Sequence, residues 1–168
     1  MHGTLEQLDD GRWQLRFTRK LPHPPEKVWR AITEPEHLEH WFPTTIEGER
    51  AAGAPLRFAF RSGKLPSFEG EMIAYDAPSA LEFKWGEDAL RLEVRPDDDG
   101  TVLTLLDTLD DRGKAARDGA GWHVCLDFLA AHLRGEETED TESTTAWEDV
   151  HPDYVERFGP EAATIGPP

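Results

Sequence analysis

Residues Lys114–Leu133 read KAARDGAGWHVCLDFLAAHL. Trp122, Leu126, Leu129 and Leu133 recur at intervals of three and four, which a period of 3.6 residues places on one helical stripe. Cys125, Phe128 and His132 widen the stripe, and Asp118, His123, Asp127 and Arg134 are expected to look outward. At ~1.5 Å per residue this helix is long enough to cross a whole β-sheet.

Upstream the period is two. Trp13, Leu15, Phe17, Arg19 and Leu21 alternate after an Asp9-Asp10-Gly11 turn, and Thr4–Leu8 is a short hairpin partner. Pro22, Pro24 and Pro25 stop that strand. Pro25 suits the first turn of a helix and Glu26 its positive end, with Val28, Trp29 and Ile32 as its apolar stripe. A second short helix runs from about Glu36 to Trp41, packed through Leu38, Trp41 and Phe42. Strands follow at Leu56–Phe60, at Phe68–Tyr75 with Gly70 as a bulge or close-packing point, at Leu81–Trp85, at Leu90–Val94 and at Val102–Leu106. Their short connections favour an antiparallel meander and leave no room for a βαβ crossover. The expected fold class is α+β: a curved antiparallel sheet of about six or seven strands wrapped round the long C-terminal helix, with two short helices after the first strand.

The chain has 168 residues and 38% hydrophobic residues, including six Trp and eight Phe, enough for one domain with a sizeable core. Acids number 34 and bases 18, a formal charge of −16, which excludes a general nucleic-acid binder and disfavours anionic lipid. One cysteine forms no internal disulfide, and no apolar run is long enough to span a membrane, so a cytoplasmic protein is expected. The domain is expected over 1–135. An acidic flexible linker occupies 136–146, a short amphipathic segment 147–159, and a fraying tail 160–168. Trp147, Val150, Tyr154, Val155 and Phe158 give that segment its helical spacing.

Two segments carry a resemblance. Phe17–Pro43, FTRKLPHPPEKVWRAITEPEHLEHWFP, resembles the opening of the START-like (SRPBCC) superfamily, in the branch named after the C-terminal domain of the heat shock protein 90 ATPase activator. Gly121–Leu133, GWHVCLDFLAAHL, is similar to that branch's last helix, and Trp147–Gly159 to an extension found in some members. The resemblance implies a helix-grip, Bet v 1-like fold with a cavity under the long helix. Members include lipid and polyketide binders, cyclases and domains that stimulate a chaperone ATPase. They share no universal catalytic motif, so no catalytic residue is carried over.

On that resemblance the cavity lining falls to Phe58, Phe60, Met72, Phe83, Trp85, Leu92, Trp122, Cys125, Leu129 and His132, with Trp41 and Phe42 near one mouth. An aromatic lining suits a flat apolar ligand, and His132 or Tyr75 supplies polar selection. Bulky rings that simply fill the space are the competing account. His37/His40 and His123/Asp127 each offer two metal ligands without a third, so no metal is expected, and no cofactor loop is present. Asp97–Asp99, Asp107, Asp110 and Asp111 read as solvated turns and strand ends, and Arg57, Arg61 and Lys64 as charge balance. The leading functional expectation is a binder of a small hydrophobic molecule without catalysis. The alternatives are a protein-interaction module or homodimer, and a cyclase or hydrolase acting on an aromatic compound.

Overall fold

The computed structural model describes residues 1–167. The chain runs β1 (Thr4–Gln7), β2 (Trp13–Leu21), α1 (Pro25–Thr33), α2 (Pro35–Leu38), β3 (Pro55–Phe58), β4 (Phe68–Asp76), β5 (Ala80–Trp85), β6 (Asp88–Asp97), β7 (Gly100–Leu109), α3 (Ala115–Leu133) and α4 (Thr145–Phe158). The sheet is antiparallel throughout, with order β1-β2-β7-β6-β5-β4-β3. This is the expected helix-grip arrangement.

Alternation decides which face is buried. Leu15, Phe17, Leu56, Phe58, Leu81, Phe83, Leu90, Leu92, Leu103 and Leu105 all belong to one core with Trp122, Leu126, Leu129 and Leu133 of α3. The register stacks these side chains across strands: Phe17 and Leu92 both pair with Leu105, and Phe83 pairs with Leu90 and Met72. Gly70 is a close-packing point: a Cβ there would lie 2.5 Å from the Lys84 carbonyl oxygen and 2.7 Å from the Phe58 ring. Strand β3 ends at Phe58, two residues before the expected end, where its pairing with β4 stops at Phe68.

Helix α3 has a second buried face. His123, expected to look outward, is only 8% exposed because α4 lies on it. The Tyr154 hydroxyl is 2.8 Å from His123 Nδ1 and accepts the Gly3 N–H at 2.8 Å. Gly119 permits this approach, since a Cβ there would stand 3.2 Å from the Tyr154 ring. Between the helices, residues 135–144 carry no helix or strand, and Thr138 Oγ1 donates to the His40 carbonyl at 3.1 Å. The stretch expected to fray forms a 3-10 turn over Pro160–Ala162, and Ile165 N–H donates to the Gly113 carbonyl at 3.2 Å; Pro168 lies outside the described residues. No helix among the described residues is long and apolar enough to cross a membrane.

Candidate functional site

Most of the space between sheet and helix is filled. Trp41, Phe42, Phe58, Met72, Phe83, Leu92 and Leu129 are at most 1% exposed and pack into the core. Phe42, placed near a mouth by the resemblance, contacts Phe83, Trp85 and Trp122 at centroid distances of 6.3, 5.2 and 5.7 Å. It plugs the concave face, and its Trp41 neighbour donates its indole N–H to the Ala31 carbonyl at 2.9 Å.

What remains is a cleft of about 320 Å³ at the edge of that core. One wall is α3, through Arg117, Asp118, Gly121, Trp122, Val124, Cys125 and Phe128. The others are Phe60 and Leu65 of the β3–β4 connection, Trp85 at the end of β5, Pro43, and the segment Thr141–Thr144 with Trp147. Of the residues expected to line a cavity, Phe60, Trp85, Trp122 and Cys125 meet here. Tyr75 instead stacks near Trp29, 5.8 Å between centroids, beside a wider depression of about 980 Å³ bordered by Glu34, Glu36, Glu39 and Glu47. The Arg50 and Arg61 side chains at that depression are held by main-chain carbonyls: Arg50 by Thr33, Arg61 by Phe42 and Thr44. Arg57 pairs with Glu47 at 2.8 Å, which leaves Arg61 as a tie within the fold and Arg57 as surface charge balance.

His132 does not face the cleft. Its Nε2 is 2.9 Å from His37 Nδ1, and its ring stacks on His40 at 4.3 Å. Burial, then the two neighbouring imidazoles, hold its pKa below the ordinary histidine value. Cys125 lines the cleft, but burial pushes its thiol up to about 12, so it is a small apolar wall rather than a nucleophile.

Behind the cleft lies a group of acids, of which Asp107 and Asp118 were expected at the solvated surface. Asp107 is fully buried, and its Oδ2 accepts the Trp122 indole N–H at 2.9 Å. Its Oδ1 meets no donor among the described residues. Asp88, also buried, takes the Lys114 ammonium at 2.7 Å and the Asp110 N–H at 3.1 Å. Asp118, on the cleft wall, holds the Arg117 guanidinium through Nε at 2.7 Å. Oxygens of Asp88, Asp107 and Asp118 lie within 4.8 Å of one another. Burial, then the negative charge of Asp88, raises the Asp107 pKa well above the usual carboxylate range. Burial also raises that of Asp118, against the pull of Arg117. Three oxygens at this spacing suit a hard cation in principle. Lys114 pairs with Asp88 and Arg117 with Asp118, and burial favours the protonated form of Asp107.

These acids were legible in the sequence. Asp107 is in step with Leu103, Leu105 and Leu109, and Asp88 with Leu90, Leu92 and Val94. Asp118 precedes Trp122 by four residues, on its stripe. Taking Val102, Thr104 and Leu106 as the alternating set puts Asp107 on the opposite face, but both faces of β7 are buried, and pairing inside the fold holds the carboxyl there.

No curated protein matches the sequence. Among solved structures, CalU16 from Micromonospora echinospora superposes with a TM-score of 0.70 at 20% identity, covering 93% of this chain and 95% of that one. A conserved protein of unknown function from Enterococcus faecalis, EF2215, gives 0.74 at 18% identity, covering 92% and 89%. DynU16, a protein in the dynemicin biosynthetic locus, gives 0.65 at 26% identity over 73% of this chain and 48% of that one. The first two likenesses establish the fold. Residues 22–134, well over half of the sequence, match the model of one family, and the chain therefore belongs to the activator of Hsp90 ATPase homolog 1-like proteins.

Proposed function

We propose that this protein binds a small, flat hydrophobic or aromatic molecule in the cleft between α3, the β3–β4 connection and residues 141–147. The observation that carries this reading is the cleft itself: about 320 Å³, walled by the rings of Phe60, Trp85, Trp122, Phe128 and Trp147. That is at the lower end of the ~300–1,000 Å³ typical of small-molecule sites. An aromatic ligand burying ~150–250 Å² gains roughly 4–6 kcal/mol from apolar burial, which corresponds to an affinity from about millimolar to tens of micromolar before any polar contact. The biosynthetic-locus origin of one structural relative, DynU16, is in keeping with a binder of organic molecules. A protein-interaction module led by the C-terminal segment has less support, because Tyr154 is fully buried and Trp147, Val150 and Phe158 pack on the core of the same chain. Cyclisation or hydrolysis through His132 has none, since His132 lies with His37 and His40.

Gly121 gives the test. It lines the cleft, and a Cβ there meets open space. A Gly121→Leu side chain fills the cleft while improving helix propensity by about 0.8–1 kcal/mol. With 3-ethylindole as probe, the parent is expected to show a saturable heat of binding by calorimetry and a raised melting temperature. Gly121→Leu is expected to lose both and melt no lower than the parent without ligand. A variant that still binds with parental affinity puts the ligand elsewhere.

A further inference from the structure

The walls of the cleft are electrically one-sided. The indole N–H of Trp122 is engaged by Asp107 and that of Trp147 by the Arg117 carbonyl, each at 2.9 Å. A ligand therefore meets these rings through their carbon edges and π faces, and Trp85, Phe60 and Phe128 add more of the same. A π face carries the negative end of the ring quadrupole and attracts cations.

The carboxylates point the same way. Asp118 gives Oδ1 to Arg117, and among the described residues its Oδ2 receives no donor. Glu142 stands on the opposite wall, tied to the main-chain N–H and hydroxyl of Ser62. The lining thus sets two carboxylates against one guanidinium. Behind Trp122, Asp88 and Asp110 share one ammonium, that of Lys114, and Asp107 adds a third carboxyl group beside Asp88. A proton on Asp107 reduces this excess without reversing it. An anionic ligand would find only Arg117 in its favour, already paired with Asp118. A neutral ligand would leave the Asp118 oxygen unanswered.

We propose that the cleft selects a flat aromatic molecule bearing a positively charged nitrogen, with the ring laid against Trp85 and Trp122, which touch each other, and the ammonium on Asp118. This rests on the ligand-binding reading above and assigns the ligand its charge. Nitrogen a few bonds from the ring fits, because Asp118 lies one helical turn from Trp122 on the same wall.

Three probes built on one indole ring separate charge from shape: tryptamine, 3-ethylindole and indole-3-propionate, titrated into the full chain at pH 7.5 and followed by calorimetry. Tryptamine is expected to bind about tenfold tighter than 3-ethylindole, with the propionate weakest. In Asp118→Asn the tryptamine advantage is expected to vanish while 3-ethylindole binds as in the parent, which also reports that the cleft is intact. Equal binding of all three probes, or a preference for the propionate, overturns the charge assignment and leaves the binding reading standing. So does a tryptamine preference that survives in Asp118→Asn. Failure of every probe to bind overturns both.

Discussion

Asp107 occupies a place in β7 where its neighbours on the same face are Leu103, Leu105 and Leu109. Such a group stays in a core only if its charge is removed or matched. Its folded-state pKa is raised, first by burial and then by Asp88, so the fold prefers the protonated form. The sign follows: this contribution is fully present below the unfolded value of 3.8 and is lost as pH rises through the folded value. Asp107→Asn keeps an oxygen for Trp122 and supplies a permanent donor towards Asp88. Its stability relative to the parent is expected to grow with pH, to about 1–2 kcal/mol at pH 8 and near zero at pH 4, read from urea midpoints. Asp107→Leu is expected to cost about 1–3 kcal/mol at neutral pH, because the Trp122 N–H then has no acceptor. If Asp107→Asn were equally destabilising at both pH values, the carboxyl would be ionised in the fold.

Elements show which parts of this molecule periodicity can reveal. The strands and α3 declare themselves by alternation and by the Trp122-Leu126-Leu129-Leu133 stripe, since each buries one face against the other. The same pattern hides the filling of the concave face. Phe42 and Phe58 are equally apolar whether they line a void or close one, and rotamers decide between them. A single stripe also misplaces His123, because nothing local to α3 announces that α4 returns to cover a second face. That return is fixed by Tyr154, whose hydroxyl joins the N-terminal Gly3, α3 and α4. Tyr154→Phe is expected to cost about 1–3 kcal/mol by denaturant unfolding, with the Gly3 N–H and His123 Nδ1 left without their partner. Residues 141–147 form the outer wall of the cleft, so the same variant is expected to weaken 3-ethylindole binding as well. Parental affinity in a destabilised variant would show that the wall holds its place without the α4 contact.

At the scale of the whole molecule the dominant fact is charge. With 34 acids against 18 bases, at least sixteen carboxylates lack a basic counterpart at neutral pH. Several of the pairs that do form, such as Arg12–Asp10, Arg57–Glu47 and Arg134–Glu136, are half exposed and contribute little. Mutual repulsion between unpaired acids is the larger surface effect, and it is screened once the Debye length falls to ~10 Å near 0.1 M salt. Raising sodium chloride from about 20 to 300 mM at pH 8 is therefore expected to stabilise the fold by about 1 kcal/mol, a rise of roughly 2–4 °C in Tm. Acidification lowers the net negative charge, so the salt response shrinks as pH falls. His123 and His132 work against that relief. Burial lowers both pKa values, so the stability from their neutral rings is present above the unfolded value of 6.5 and is lost as pH falls towards the folded values. Acidification at low salt thus sets relief of surface repulsion against protonation of one buried and one half-buried ring, and His123→Gln and His132→Gln separate the two by removing only the second. A Tm that falls with added salt at pH 8 would show instead that the ion pairs outweigh the repulsion.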